Sequence, residues 1–465
     1  MTEQIWNGIK DFSAGLIDNV EDHLLPDNAS PDCLNVVSET VGSLQKRRGQ
    51  ARLGAQIGAA PVRGMHAFYR GAQRFLIAAC GNDVFRYDFA TGQYMSLRSG
   101  LSAIVPTCFA TTVHFMVAFN GVNPPWRWDG TSTALLANAP IDGQFAVLFK
   151  EKLFTVPLST PSTLRWANSF QPEVWSPVNF WDIRPGDGDV ISNIVEHLGD
   201  LVVFKRRSTH TLAGTDLNDF RLDLRHSSIG CVGPFAAAPS GAFLYFVSEE
   251  GLCVWNGMNV INLSRERIPK LWGRINQQNL HRAAATVQGR HILFALPEGN
   301  STTNNLVVVC EHARGGDAKF WVWRGIDASC FQQFNDGNNL LLYSGDALSG
   351  WVNRQQVGWE DFGAPINAYW QGKSYDIGSA EHKKKFREVW VIDSPEALDV
   401  ELQVSLDYGV TQQLVSVGGD TLVRRFKFPP GSYGRYLSPR LIHNRLGSLD
   451  VRGLTVTYTV QARMR

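Results

Sequence analysis

The heptapeptide GLCVWNG at 251–257 follows the apolar run LYFV at 244–247, so a short apolar strand, a tight turn and a second strand end together in an aromatic residue and Asn-Gly. The same order recurs. FLIAA at 75–79 leads to VFRYDFATG at 84–92, and FMVAF at 115–119 leads to PPWRWDG at 124–130. The first residues of these apolar runs are Phe75, Phe115, Leu153, Leu201, Leu244, Ile292 and Leu340, separated by 40, 38, 48, 43, 48 and 48 residues. A drifting period of this size with β-rich segments is the signature of a four-stranded propeller blade. One such blade cannot cover both faces of its sheet, so blades stack around an axis.

Residue chemistry within the repeat agrees. LVVF at 201–204 and LYFV are apolar at every position, as strands covered on both faces must be. Tyr87, Trp128, Trp166 and Trp255 recur at the end of the following strand, where a large ring fills the widening gap between blades. Asn256-Gly257 and Asp129-Gly130 supply the positive φ of tight turns. The expected fold is all-β: a β-propeller of six or seven blades over residues 61–365. Seven marks favour seven, although the last could equally belong to the connection that follows. Helical pattern is confined to LSRERIPKLWGRI at 263–275, which a proline interrupts.

The flanks read differently. Residues 1–60 lack alternation, are rich in Asp, Asn and Pro, and carry five basic against eight acidic residues, which predicts an extended arm. It has too few apolar residues for a core of its own. Phe12, Leu16, Leu24 and Leu25 are therefore predicted to dock it on a neighbouring protomer, and removal of residues 1–40 to leave a folded chain that assembles poorly. From 366 the repeat stops. Val400, Leu402, Val404 and Leu406 alternate with Glu401, Gln403, Ser405 and Asp407, one covered and one wetter face, which predicts a C-terminal β-sandwich over 366–465. That region holds 14 basic and ten acidic residues.

Composition narrows the function classes. The chain of 465 residues has a formal net charge of +1, which gives no global sign of a nucleic-acid binder. No window approaches a membrane span and the first residues lack the apolar core of a secretory signal, so a soluble protein made in a cytoplasm, without stable membrane insertion, is expected. Seven cysteines, at 33, 80, 108, 231, 253, 310 and 330, stand singly in apolar runs and read as buried thiols.

Candidate sites are few. Asp187 and Asp189 in PGDGDVIS could begin a calcium loop but lack the further oxygen ligands, and Asp-Gly-Asp is equally a turn. No metal or other cofactor is expected, and no nucleophile motif is present. A glycosidase would need carboxylates such as Asp88, Asp129, Asp187 and Glu249 to converge, one with a raised pKa. Trp126 and Trp128 would serve a sugar-binding receptor module. Two basic runs stand out: Lys205, Arg206 and Arg207, and Lys383, Lys384 and Lys385. They are either solvated strand edges or contacts to nucleic-acid phosphates.

Three parts of the chain resemble the β-propeller tail hub, or nozzle, proteins of short-tailed bacteriophages, also described as packaged-DNA stabilisation proteins. These are the entry segment DFSAGLIDNVEDHLLPDNASPDCLNVV with GSLQKRRGQARLG, the central FKRRSTHTLAG and SSIGCVGPFAAAPSGAFLYFVSEEGLCVWNG, and the closing RLIHNRLGSLDVRGLTVTYTV. The resemblance implies a structural rather than enzymatic protein of the virion tail, assembled in the host cytoplasm. It further implies a ring, typically a hexamer, below the portal and adaptor proteins, with the adaptor ring the alternative docking partner of the N-terminal arm. Such a ring extends the DNA exit channel, retains the genome and carries tail fibres or spikes, while double-stranded DNA passes the lumen without sequence specificity.

Overall fold

The computed structural model describes residues 3–312, 317–393, 400–419 and 422–461. Among them the only α-helix is the single turn Pro269–Trp272, which Pro269 opens rather than breaks. Everything else with regular structure is β, apart from two 3-10 turns.

Five sheets are meanders of four consecutive antiparallel strands. They begin with Val62–Arg70, Cys108–Thr111, Val147–Phe149, Ile191–His197 and Ala237–Ser240. A sixth begins with Ala284–Gln288 and a seventh with Ala328–Asn335, both widened by strands from elsewhere in the chain. Each of the seven repeat marks falls in the second strand of one sheet, or one residue before it for Phe115. The first strands neighbour one another in chain order, and Ala328–Asn335 returns to lie beside Val62–Arg70. The arrangement is that of a β-propeller.

The packing follows from the sequence pattern. Phe243–Ser248 is buried along nearly its whole length and Gly251–Trp255 along all of it, since neighbouring sheets cover both faces. Trp128 sits against Phe68 and Phe75 of the preceding sheet, with ring centroids 5.4 and 4.9 Å away. Trp255 likewise meets His197 of the preceding sheet at 5.7 Å. The turn after Trp255 is held by the Asn256 side chain, which accepts from the backbone N–H of Met258 and Asn259. Gly257 there has φ 90°, a conformation that costs glycine little.

Beyond residue 366 two further sheets form. In one, Lys384–Asp393 pairs with Asp450–Val460 and with Val423–Lys427. In the other, Leu437–His443 lies between Ala368–Gln371 and Glu401–Leu406. Val389, Val391 and Val456 of the first share one buried cluster with Leu402, Val404 and Leu441 of the second. Glu401, Gln403 and Ser405 are partly exposed, so the alternation is realised as read, except that Leu406 is only half-buried.

The N-terminal segment departs from expectation. It is threaded through the chain's own sheets. Gln4–Ile9 pairs with Asp450–Val460, Gly15–Leu16 with Lys319–Trp323, and Asp32–Leu34 with Ala368–Gln371. Leu44–Lys46 also pairs with Asp450–Val460, and Gln50–Arg52 supplies the fourth strand of the seventh sheet beside Val352–Gln355. Phe12 is fully buried, its ring edge-on to Trp370 at 4.9 Å, and Leu16 and Leu25 are buried as well. Of the four docking residues only Leu24, 66% exposed, is accessible to a neighbour. The missing core that argued for a second protomer is supplied by the same chain.

Candidate functional site

The first basic run and the Asp-Gly-Asp loop form one unit. Ile191–His197 and Asp200–Lys205 are a hairpin, so the residues before its first strand and after its second must meet. Lys205 is fully buried, and its ammonium donates to Asp187 Oδ1 at 2.8 Å and to the carbonyls of Arg184 and Asp189 at 3.0 and 3.3 Å. The Asp189 carboxylate accepts from the backbone N–H of Arg206 and Arg207 at 3.2 and 2.9 Å. Arg206 and Arg207 are exposed but share Glu249, at 2.8 and 3.2 Å. Lys205 is thus removed from any DNA contact, because its charge is enclosed and compensated. The same bonds explain Asp187 and Asp189 without calcium, and no cluster able to hold a metal occurs among the described residues.

The second run divides in the same way. Lys384 is buried, and its ammonium is held by the carbonyls of Ser379, His382 and Arg435 at 2.6, 3.2 and 2.9 Å. Burial lowers its pKa. Lys384 therefore also drops out as a phosphate contact. Lys383 is exposed and Lys385 half-buried, with ammonium groups 5.9 and 5.8 Å from the Tyr433 ring centroid.

The carboxylates considered for sugar cleavage are engaged elsewhere. Asp88 accepts from the backbone of Ala90, and Asp129 from Thr131 and Ser132. Asp187 and Glu249 do line one shallow cleft, together with Arg184, Arg206 and Arg207. Burial pushes the Asp187 carboxyl up, yet the bond and charge of Lys205 outweigh it and leave the group below its ordinary value. A general acid for glycoside cleavage needs the opposite shift. Trp126 and Trp128 are buried, so neither offers a face to a sugar.

Lys46, Arg47 and Arg48, which stand out in the sequence only within the segment that carries the resemblance, form a further cluster of structural consequence. Arg47 is fully buried where the propeller meets the C-terminal sheets. Its guanidinium pairs in bidentate fashion with Asp361 and donates to Asn35 Oδ1 at 2.9 Å. Lys46 lies 3.3 Å from His443 Nδ1, its pKa pushed down to about 8 by burial and the adjacent Arg47. Arg48 stacks on Trp359, 3.7 Å from the ring centroid. The signal available in the sequence was a run of three cations inside a segment otherwise acidic.

A cavity of about 380 Å³ opens where the innermost strands begin. Arg63, Cys108, Ile191 and Ser329 line it from the first strands of four sheets, and Phe145, Phe235 and Arg282 from the segments just before the first strands of the other three. Burial raises the Cys108 thiol to about 12, which makes it a poor nucleophile.

No protein-family model matches the chain, and no curated protein matches it. Among solved structures, the computationally designed Ika8 protein aligns at 12% identity and a TM-score of 0.40, covering 66% of this chain and all of that one. The Pan2 WD40 domain of Neurospora crassa aligns at 8% identity and a TM-score of 0.43, covering 67% and 97%. At TM-scores this low neither likeness bears on the fold, which rests on the sheet pattern itself.

Proposed function

We propose that this chain is a structural protomer of a bacteriophage tail hub or nozzle. Its propeller has seven blades, the seventh closed by Gln50–Arg52, and residues 366–465 form a β-sandwich beside it. Copies assemble as a ring, a hexamer, below the portal and adaptor. The ring extends the DNA exit channel, retains the packaged genome and carries fibres or spikes.

The observation that carries this reading is the layout. A repeat-built circuit of sheets and a separate pair of sheets are tied together by one N-terminal segment that hydrogen-bonds into both. A protomer that withstands the pressure of packaged DNA needs its parts joined in this manner. The carboxylates that an enzyme would use are occupied as turn caps and ion-pair partners, which favours a structural part over a catalyst. Lys383 and Lys385 remain the candidates for sliding phosphate contact, and Arg206 and Arg207, neutralised in part by Glu249, suit a weakly charged lumen.

The test is the mass of the full-length chain by light scattering, alone and mixed with an adaptor ring. Incorporation of six copies per adaptor ring is expected. A chain that stays single under both conditions overturns the proposal.

A further inference from the structure

The cavity at the centre of the propeller has a composition that neither the ring nor the tail role requires. Arg63, Arg206, His281 and Arg282 line it, and no carboxylate does. Arg206 has Glu249 as its partner. Among the described residues neither Arg63 nor Arg282 makes an ion pair, and the Arg63 Nε is enclosed without a hydrogen-bond partner. Burial, and then the charge of Arg282, hold the Arg63 guanidinium below its ordinary range. Burial lowers His281 too, with Arg282 and Arg206 adding to it and a bond to the Gln278 carbonyl opposing it. Two guanidinium groups thus line one half-enclosed space, Arg282 exposed and Arg63 half-buried, and the enclosed Arg63 Nε is the group that gains most if an acceptor enters.

The rim adds a second, independent feature. Ile104, Val122, Leu158 and Val190 are 78, 54, 51 and 41% exposed, and all four line this one cavity. Phe145 is buried and Phe235 half-buried. An apolar wall with a few convergent polar groups, in a volume within the roughly 300–1,000 Å³ of small-molecule sites, is the composition of a ligand pocket. Four of its lining residues, Arg63, Cys108, Ile191 and Ser329, sit on strands of the circuit.

We propose that this cavity binds a compact organic anion, its phosphate or carboxylate group held by Arg63 and Arg282 and its apolar body lying against Ile104, Val122, Phe145 and Phe235. Guanidinium suits either head group, since its planar fork donates two parallel hydrogen bonds to paired oxygens. The site binds without reacting. It offers no carboxylate and no activated thiol.

Calorimetric titration of the full-length chain at low ionic strength tests the proposal, with 1-naphthyl phosphate and 2-naphthoate as the two anionic probes. Neutral 1-naphthol and inorganic phosphate are the controls. At least one of the two anionic probes is expected to bind tenfold or more tightly than both controls. The stronger of the two identifies the head group. The double variant R63Q/R282Q is expected to lose tenfold or more in affinity while melting no lower than the parent, because neither arginine makes an ion pair that the change would break. Ile104→Asp, at an exposed rim position, is expected to weaken binding without changing the melt. Equal affinity for naphthol, unchanged binding by the double variant, or no heat with either anion up to millimolar concentration overturns the proposal.

Discussion

Lys205 shows how a residue type misleads when its neighbours in space are unknown. A lysine between a strand and a turn reads as solvated, yet here it is enclosed by three oxygen acceptors. Lys205→Met leaves Asp187 without its partner. The expected loss, about 2–3 kcal/mol in urea unfolding, lies below the roughly 3–5 kcal/mol of fully buried pairs because Asp187 remains one-third exposed. The pair R206Q/R207Q, at exposed positions, is expected to shift stability by no more than about 0.5 kcal/mol. The hairpin made this contact legible in principle: PGDGD before one strand and KRR after its partner are complementary in charge and must be adjacent. Asp393 was not legible. Burial pushes its carboxyl up to about 7, with Arg424 opposing and Asp450 adding to the rise. An unfolded aspartate titrates near 3.9, so the folded state holds a proton that the unfolded state has released between those values. Stability from this group is complete below about pH 4 and is lost as pH rises through 7. Asp393→Asn should therefore flatten the pH profile of the unfolding midpoint between 4 and 7 and raise stability at pH 8. A parallel pH profile in the two proteins would contradict it.

At the scale of elements, the strands of the repeat were readable and the N-terminal segment was not. A meander strand announces itself by local apolar runs and turn residues, as Phe243–Ser248 and Gly251–Trp255 do. Gly15–Leu16, Asp32–Leu34 and Gln50–Arg52 are two or three residues long, too short for any period, and their partners lie some 300 residues away in the chain. Their β character is imposed by the sheet edges they meet. Removal of residues 1–40 is accordingly expected to abolish cooperative unfolding of the C-terminal sheets, rather than to leave them folded, since it uncovers Trp370 and strips strands from both. Tryptophan fluorescence and amide exchange would report it. Gly49 gives a sharper test of the same threading. A Cβ there would collide with the backbone of Glu360, which cannot move without displacing Glu360–Asp361. Gly49→Ala is expected to destabilise by more than about 2 kcal/mol, and an unchanged melting temperature would show that the segment does not run beside residue 360.

For the whole molecule, periodicity in the sequence was sufficient to place seven strand pairs, because each sheet repeats the same solution to the same burial problem. What closes the circuit was hidden. The strand Gln50–Arg52 precedes the first repeat and completes the last sheet, so the ends of the repeat region are locked by the N-terminal segment. The axial cavity was equally invisible, since Arg63 and Arg282 are 219 positions apart and line one space only when the circuit closes. Charge runs, which the sequence does display, proved partly structural: Lys205 and Lys384 are interior, whereas Arg206, Arg207, Lys383 and Lys385 face outward or nearly so. Lys383→Gln with Lys385→Gln is therefore expected to leave folding unchanged and to lower the salt-dependent retention of the assembled ring on duplex DNA, measured by affinity chromatography across a salt gradient. The most direct measurement is electron cryomicroscopy of the full-length chain assembled on an adaptor ring. Six copies around an open axial channel, with the propellers arranged about it, are expected. Single copies scattered on the grid, or a closed assembly with no passage along its axis, would contradict the tail-hub account.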